Sequence, residues 1–179
     1  MKTRLILIRH SQPEVTLDRP ATDWPLSAEG RRLCVPLAEA MTPYQPACLV
    51  ASQETKARET AQLVAEKLGI PWQVAKGLHE HDRTGVPYLG DEAFQSMVRA
   101  FFAHPDEQVF GCETANQAAT RFAQAVERVL QATVLDTGCV AIVAHGVVIS
   151  LYVARRRRYT SEQVYTFWRG LKQPDVVVC

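Results

Sequence analysis

Val140-Ala141-Ile142-Val143-Ala144 is an unbroken apolar run that stops at His145-Gly146. A strand with one wet face alternates polar and apolar residues. A strand that is apolar throughout is covered on both faces, as in a parallel sheet between helices. Leu5-Ile6-Leu7-Ile8, closing on Arg9-His10, has the same form, and Ala47-Cys48-Leu49-Val50-Ala51 is a third such run. Trp72 to Ala75 reads as a further strand, and Asp175 to Cys179 as one that ends without a polar tail. That last pattern fits either a sheet edge or a chain that stops early.

Helical spacing fills the intervals. Ser27 is an N-cap for a helix running to about Met41, with a kink or break expected at Pro36. Thr55 to Leu68 keeps small and apolar residues on one face and stops at Gly69. Lys76 to Gly90 has no periodicity and reads as a loop, and Glu92 to Ala103 as a short helix. Thr114 to Thr133 is the longest helix expected, with Phe122, Val126, Val129 and Leu130 on one face. Gly146 to Ala154 follows the last buried run. Strands alternating with helices give an α/β fold: a three-layer sandwich, with a mostly parallel central sheet and helices on both faces. A length of 179 residues fits one domain, 1–179.

Composition narrows the function classes. Twenty basic and 19 acidic residues leave a net charge of +1, which gives no reason to expect nucleic acid or an anionic membrane as partner. Five cysteines without CxxC spacing argue against a disulfide framework or structural zinc. They read as apolar fillers, and none adjoins an obvious base. The apolar run after Met1-Lys2-Thr3-Arg4 is too short for a signal peptide, and no segment can cross a bilayer. A cytoplasmic protein is the expectation. The sequence carries no signal of oligomeric state.

His10 and His145 occupy equivalent places, each directly after a buried run. In open parallel sheets, ligands bind at the carboxyl ends of strands. Arg9 precedes His10, Lys56 and Arg58 open the helix after the second run, and Glu80 lies in the loop after the third strand. Four strand ends thus bring two imidazoles, cations and a carboxyl to one rim. Arg and Lys suit the non-bridging oxygens of a phosphoryl group. A neutral imidazole can attack phosphorus, and a carboxylic acid can protonate the leaving oxygen. Zinc is the alternative use of two histidines, but they lack tight ligand spacing and their neighbours are cations.

Each residue also has a structural reading. Arg9-His10 alone is an ordinary polar strand end, and only its pairing with His145 lifts it above that. Glu80 competes with Glu54, Glu59 and Asp82, and Lys56 reads equally as a solvated helix-start lysine. Glu113 reads as a cap of the long helix near its N-terminus. His79 and His81 read as exposed loop residues. Arg155 to Arg158 is a solvated helix end, without the interleaved aromatics of a nucleic-acid surface.

Several stretches, in order along nearly the whole chain, resemble the histidine phosphatase superfamily, which includes the phosphoglycerate mutases. Leu7-Ile8-Arg9-His10-Ser11 is similar to its Arg-His-Gly signature, and Asp23-Trp24-Pro25-Leu26-Ser27-Ala28-Glu29-Gly30 to its D-x-P-L-S/T-x-x-G stretch. Ser52 with Lys56-Ala57-Arg58-Glu59-Thr60-Ala61 resembles S-x-x-x-R-A-x-x-T-A. Leu78-His79-Glu80 with Gly85 resembles its acid loop, Gly111-Cys112-Glu113-Thr114 its G-E-S/T, and Ala144-His145-Gly146 its second H-G. The resemblance implies His10 as nucleophile, Glu80 as proton donor, and Arg9 and His145 as phosphate binders, with Lys56 or Arg58 completing the clamp. It implies no metal and no cofactor.

Three positions depart from that pattern. Ser11 stands where glycine is usual, Lys56 where a second arginine is usual, and Thr16 where many members carry asparagine. The expected activity is a phosphomonoesterase acting through phosphohistidine on a small phosphorylated molecule, a phosphoprotein being less expected. The alternatives are mutase-type phosphoryl transfer, disfavoured by the short stretch after Glu80, and a weakly active or non-catalytic phospholigand-binding protein. The segment from His81 to Phe110 is expected to cover the site. Tyr88, Phe94, Phe101 and Phe102 read first as core.

Overall fold

In the computed structural model, which describes residues 4–133 and 138–179, the first strand β1 (Arg4–Arg9) divides its side chains between two apolar layers. Leu5 and Leu7 enter one cluster, and Ile6 and Ile8 the other. β4 (Cys139–Ala144) does the same, with Val140 and Ile142 on one side and Ala141 and Val143 on the other. This explains why both runs are apolar without alternation. Each fully buried aliphatic side chain there is worth about 1.5–3 kcal/mol. The basic start of the chain, residues 1–3, lies outside the described residues.

The sheet runs in the order β3 (Trp72–Val74), β2 (Pro46–Ala51), β4, β1, β5 (Asp175–Val178). The first four are mutually parallel, while β5 pairs antiparallel with β1 and forms an edge. α1 (Ala28–Met41) and α2 (Thr55–Leu68) cover the Ile6 and Ile8 face. α3 (Asp91–Ala103), α4 (Ala115–Ala132), α5 (Gly146–Arg157) and α6 (Ser161–Gly170) cover the other. The architecture is the expected three-layer sandwich. No helix among the described residues is long and apolar enough to cross a membrane.

Two local expectations need correction, and one helix was not expected. α1 runs unbroken through Pro36. Pro36 and Arg32 both lie on the exposed face, so the carbonyl of Arg32 that loses its partner is open to solvent. α5 continues to Arg157, taking in most of the arginine run, whose residues are exposed as a helix end should be. α6 had no counterpart among the expected helices.

Register fixes the rim. Arg9 pairs with Ala144 and Ala51 with Val143, so three parallel strands end level. The next residues stay in register: His10 N–H donates to Ala144 O at 2.9 Å, and Ser52 N–H to Val143 O at 2.9 Å.

Candidate active site

The level strand ends bring the two imidazoles together. The ring centroids of His10 and His145 are 5.1 Å apart, with the planes 59° from parallel. Nδ1 of His10 lies 2.7 Å from the Ser11 carbonyl oxygen. A carbonyl only accepts, so Nδ1–H donates and the neutral ring keeps its lone pair on Nε2. Burial, then the nearness of His145 and Lys56, hold His10 well below the usual imidazole range. It is therefore neutral at pH 7, with Nε2 unprotonated.

Ser11 is fully buried, and its side chain is committed elsewhere. Its hydroxyl donates to Gly30 O at 2.7 Å, and its N–H donates to Thr60 Oγ1 at 3.0 Å. The start of α1 braces the same loop. Ser27 N–H donates to Gln12 O at 3.0 Å, and a Cβ on Gly30 would meet that oxygen at 2.0 Å. Only glycine lets α1 approach so closely. Glu59 anchors this stretch by accepting from Leu26 N–H and Arg31, each at 2.8 Å.

His145 is 1% exposed. Its Nε2 lies 2.8 Å from Ser52 Oγ and 3.3 Å from Glu54 Oε1, and its Nδ1 is buried without a hydrogen-bond partner. Burial, then the charges of Lys56 and Arg83, push its pKa well below normal, so this contact to Glu54 is not an ion pair at pH 7. Arg9 donates through Nη1 to Leu171 O at 2.7 Å, while its Nε is buried and unpartnered.

Lys56 reaches the site, but not as a free cation. It is 4% exposed, with Nζ donating to Glu54 Oε2 at 2.5 Å and to Ala21 O at 2.6 Å. Glu54 also accepts from Glu80 N–H at 2.8 Å. Burial pushes the Glu54 carboxyl up, but Lys56 and that N–H outweigh it and hold the group below the usual range. The sequence reading passed over Glu54 as one of several nearby carboxylates. Arg58, offered as a clamp residue, is exposed on α2 and does not line the cavity, because residues two apart on a helix face different ways.

The carboxylate of Glu80 docks on the N-terminus of α5. It accepts from Val147 N–H at 3.0 Å, Val148 N–H at 3.1 Å and His81 N–H at 3.0 Å. Helix dipole and amides favour the charged form. Burial opposes them and prevails, against Arg83 and those bonds, so the Glu80 pKa is raised above the usual carboxylate value. A carboxyl so shifted can carry a proton nearer to neutral pH.

Arg121, unremarked in the sequence, holds the Glu80 loop. Its guanidinium donates to Gly77 O and His79 O, each at 2.9 Å, and to Glu80 O at 3.1 Å, and pairs with Glu113 at 2.5 Å. Glu113 also accepts from Asp82 N–H at 2.9 Å. Glu113 is thus no cap of α4: Thr114 is, in a capping box with Gln117. Gly111 adopts φ +92°, and a Cβ there would meet Asp82 O at 2.1 Å. The loop and the start of α4 are tied at several points. His81 is not an exposed loop residue. It is 2% exposed, with Phe101 and Phe110 centroids each 4.6 Å away and both ring nitrogens unpartnered.

These groups open into a cavity of about 1230 Å³ lined by Arg9, His10, Lys56, Glu80, Arg83 and His145. Its walls include Trp24, Tyr88 and Phe94, whereas Phe101 and Phe102 belong to the core, and Phe110 belongs to both. Thr16 lines the cavity too. Among the described residues, no group of three or more His, Cys, Asp or Glu side chains is arranged to hold a metal ion.

A sequence model of the Histidine phosphatase superfamily (branch 1) matches residues 5–171. No curated protein matches the chain. Solved structures share its fold. Mycobacterial glucosyl-3-phosphoglycerate phosphatase is 22% identical, with a TM-score of 0.74 over 92% of this chain and 84% of that one. Phosphoserine phosphatase of Entamoeba histolytica, solved with 3-phosphoglyceric acid, is 18% identical, with a TM-score of 0.76 over 98% and 89%. Bacillus stearothermophilus YhfR is 22% identical, with a TM-score of 0.72 over 92% and 84%.

Proposed function

The chain belongs to branch 1 of the histidine phosphatase superfamily, and from that membership we propose that it is a phosphomonoesterase working through phosphohistidine. One observation carries the reading. His10, tied through Nδ1–H to Ser11 O, keeps its Nε2 lone pair and lines one cavity with Arg9 and Glu80.

In the first step Nε2 of His10 attacks phosphorus. The P–N bond forms, the P–O bond to the leaving group breaks, and Glu80 gives that oxygen its proton. In the second, water attacks the phosphohistidine, Glu80 takes a proton from it, and the P–N bond breaks to return His10 and phosphate. Arg9 and His145 hold the non-bridging oxygens, His145 as the tautomer whose Nε2 accepts from the Ser52 hydroxyl and whose Nδ1–H, like Arg9 Nε–H, is without a partner among the described residues. Lys56 keeps its third N–H for the same purpose. The substrate is a small phosphomonoester, in keeping with the phosphoserine and glucosyl-3-phosphoglycerate that name two similar structures. No metal or cofactor takes part.

The test is phosphate release from p-nitrophenyl phosphate by the protein and by His10→Ala, with acid-labile phosphoprotein trapped by rapid quench. Equal rates for the two proteins reject His10 as nucleophile. A second reading, ligand binding without turnover, draws on the capture of Lys56 by Glu54. It prevails if inorganic phosphate binds tightly and no phosphohistidine forms from any of a panel of phosphomonoesters.

A further inference from the structure

The charges around the two imidazoles are too few for a doubly charged phosphoryl group. Lys56 and Glu54 are 2.5 Å apart and both buried, so together they bring about zero net charge. Arg9 then stands as one guanidinium, with one of its nitrogens already spent on Leu171 O. Both imidazoles are neutral at pH 7. A site for a dianion wants another cation with a fork of donors.

The cavity wall holds one. Arg83 lies three positions after Glu80 and lines the same cavity as His10 and His145. It is half-buried, and its guanidinium carbon stands 4.9 Å from the centre of the Phe94 ring. No side-chain nitrogen of Arg83 makes a hydrogen bond or ion pair among the described residues. Its backbone is anchored all the same: its carbonyl accepts from Val86 N–H at 3.0 Å, and the preceding Asp82 is held by Glu113. Its charge is the strongest acting on Glu80 and, after Lys56, on His145. The root is fixed, the ring beneath limits the stem, and the head is unspent.

We propose that Arg83 is an anion-binding residue of this site, its guanidinium holding the phosphoryl oxygens beside the helix-start cation whose charge Glu54 neutralises. The proposal rests on the phosphomonoesterase reading for its ligand, a phosphoryl group, but not on turnover. It assigns the second guanidinium to the acid loop instead of to α2. The same loop then supplies both the proton donor and the clamp, so motion of the loop couples phosphate binding to proton transfer.

Binding of inorganic phosphate, measured calorimetrically at pH 7, tests it without requiring turnover. Arg83→Gln is expected to weaken phosphate binding roughly tenfold or more. Arg83→Lys recovers part of the loss, keeping charge but not the fork. Arg83→Met keeps the packing on Phe94 and matches Gln if charge is what matters. Arg32→Gln, exposed on α1, is the unchanged control. Thermal melts confirm that each variant is folded. Phosphate affinity unchanged in Arg83→Gln overturns the proposal, as does a wild-type protein that binds no phosphate. A protein that hydrolyses p-nitrophenyl phosphate while Arg83→Gln behaves as wild type leaves the enzymatic reading standing and removes this one. Phosphate binding that depends on Arg83 in a protein that never hydrolyses anything does the reverse. A further readout separates charge from structure. Arg83 holds the Glu80 pKa down, so its removal moves the alkaline limb of kcat/KM to higher pH.

Discussion

Glu54 and Lys56 form an ion pair of 2.5 Å, with their side chains only 6% and 5% exposed, beside the two imidazoles. Breaking a buried pair by removing one partner strands the other charge, at a cost of about 3–5 kcal/mol. Lys56→Met is therefore expected to destabilise the protein by about that much. The double variant Glu54→Leu with Lys56→Met, which strands neither charge, recovers most of the loss. Urea unfolding at pH 7 measures both. A single variant as stable as wild type would show that the pair is not desolvated in solution.

The pH dependence of kcat/KM follows from two opposed shifts. In the proposed mechanism His10 must be neutral to attack, and its pKa lies well below 6.5, so the acid limb falls only well below that value. Glu80 must be protonated to donate, and its pKa lies above 4.5, so activity declines once pH passes that raised value. A bell is expected, with its acid limb displaced below the ordinary imidazole range and its alkaline limb above the ordinary carboxylate range. Glu80→Gln removes the alkaline limb and lowers kcat roughly a hundredfold to ten-thousandfold. A full-length alkaline limb surviving in Glu80→Gln would reassign the acid.

The rim was legible because strand register is simple. Runs apolar on both faces end level in a parallel sheet, so His10 and His145 meet whatever lies between them in sequence. The partner of Lys56 was not legible. Residues two apart do not face each other on a helix, but Glu54 precedes α2 with an extended backbone (φ −67°, ψ 140°) and is free of that rule. α6 escaped notice because its buried stripe is narrow, chiefly Val164 and Trp168, and its clearest signal is the Thr160–Gln163 capping box. Arg121 gave no local sign at all, since its carbonyl partners lie some forty residues upstream.

Acid sensitivity of the fold should trace in part to His81. Burial first, then Arg83 and Arg121, push its pKa down to about 3. The unfolded chain, with a pKa near 6.5, binds a proton that the folded state refuses, so stability is full above about pH 6.5 and declines as pH falls towards 3. The slope is about 1.4 kcal/mol per pH unit, or about 2 kcal/mol between roughly pH 6.5 and pH 5. His81→Leu should flatten that decline, because Phe101 and Phe110 offer the imidazole no hydrogen-bond partner. Chemical denaturation at several pH values checks this. A variant with the same acid slope as wild type would exonerate His81.

Arg121 provides the last test, of position apart from chemistry. Its fork spans three successive parts of the Glu80 loop and meets Glu113, which itself holds Asp82. It does not line the main cavity, so it has no contact with a substrate there. Arg121→Met frees the loop, and Glu80 then leaves the amides of Val147 and Val148 part of the time. Misplacement of a catalytic group by about 1 Å costs up to roughly a hundredfold in rate. The expected result is a fall in kcat together with weaker binding of inorganic phosphate, because the freed loop carries Arg83 as well as Glu80. Arg121→Lys should not restore the rate, since a single ammonium cannot reach Gly77, His79 and Glu80 carbonyls at once. A variant that lost kcat but kept full phosphate affinity would instead mean that the anion site stands on β1 apart from the loop, and would count against Arg83.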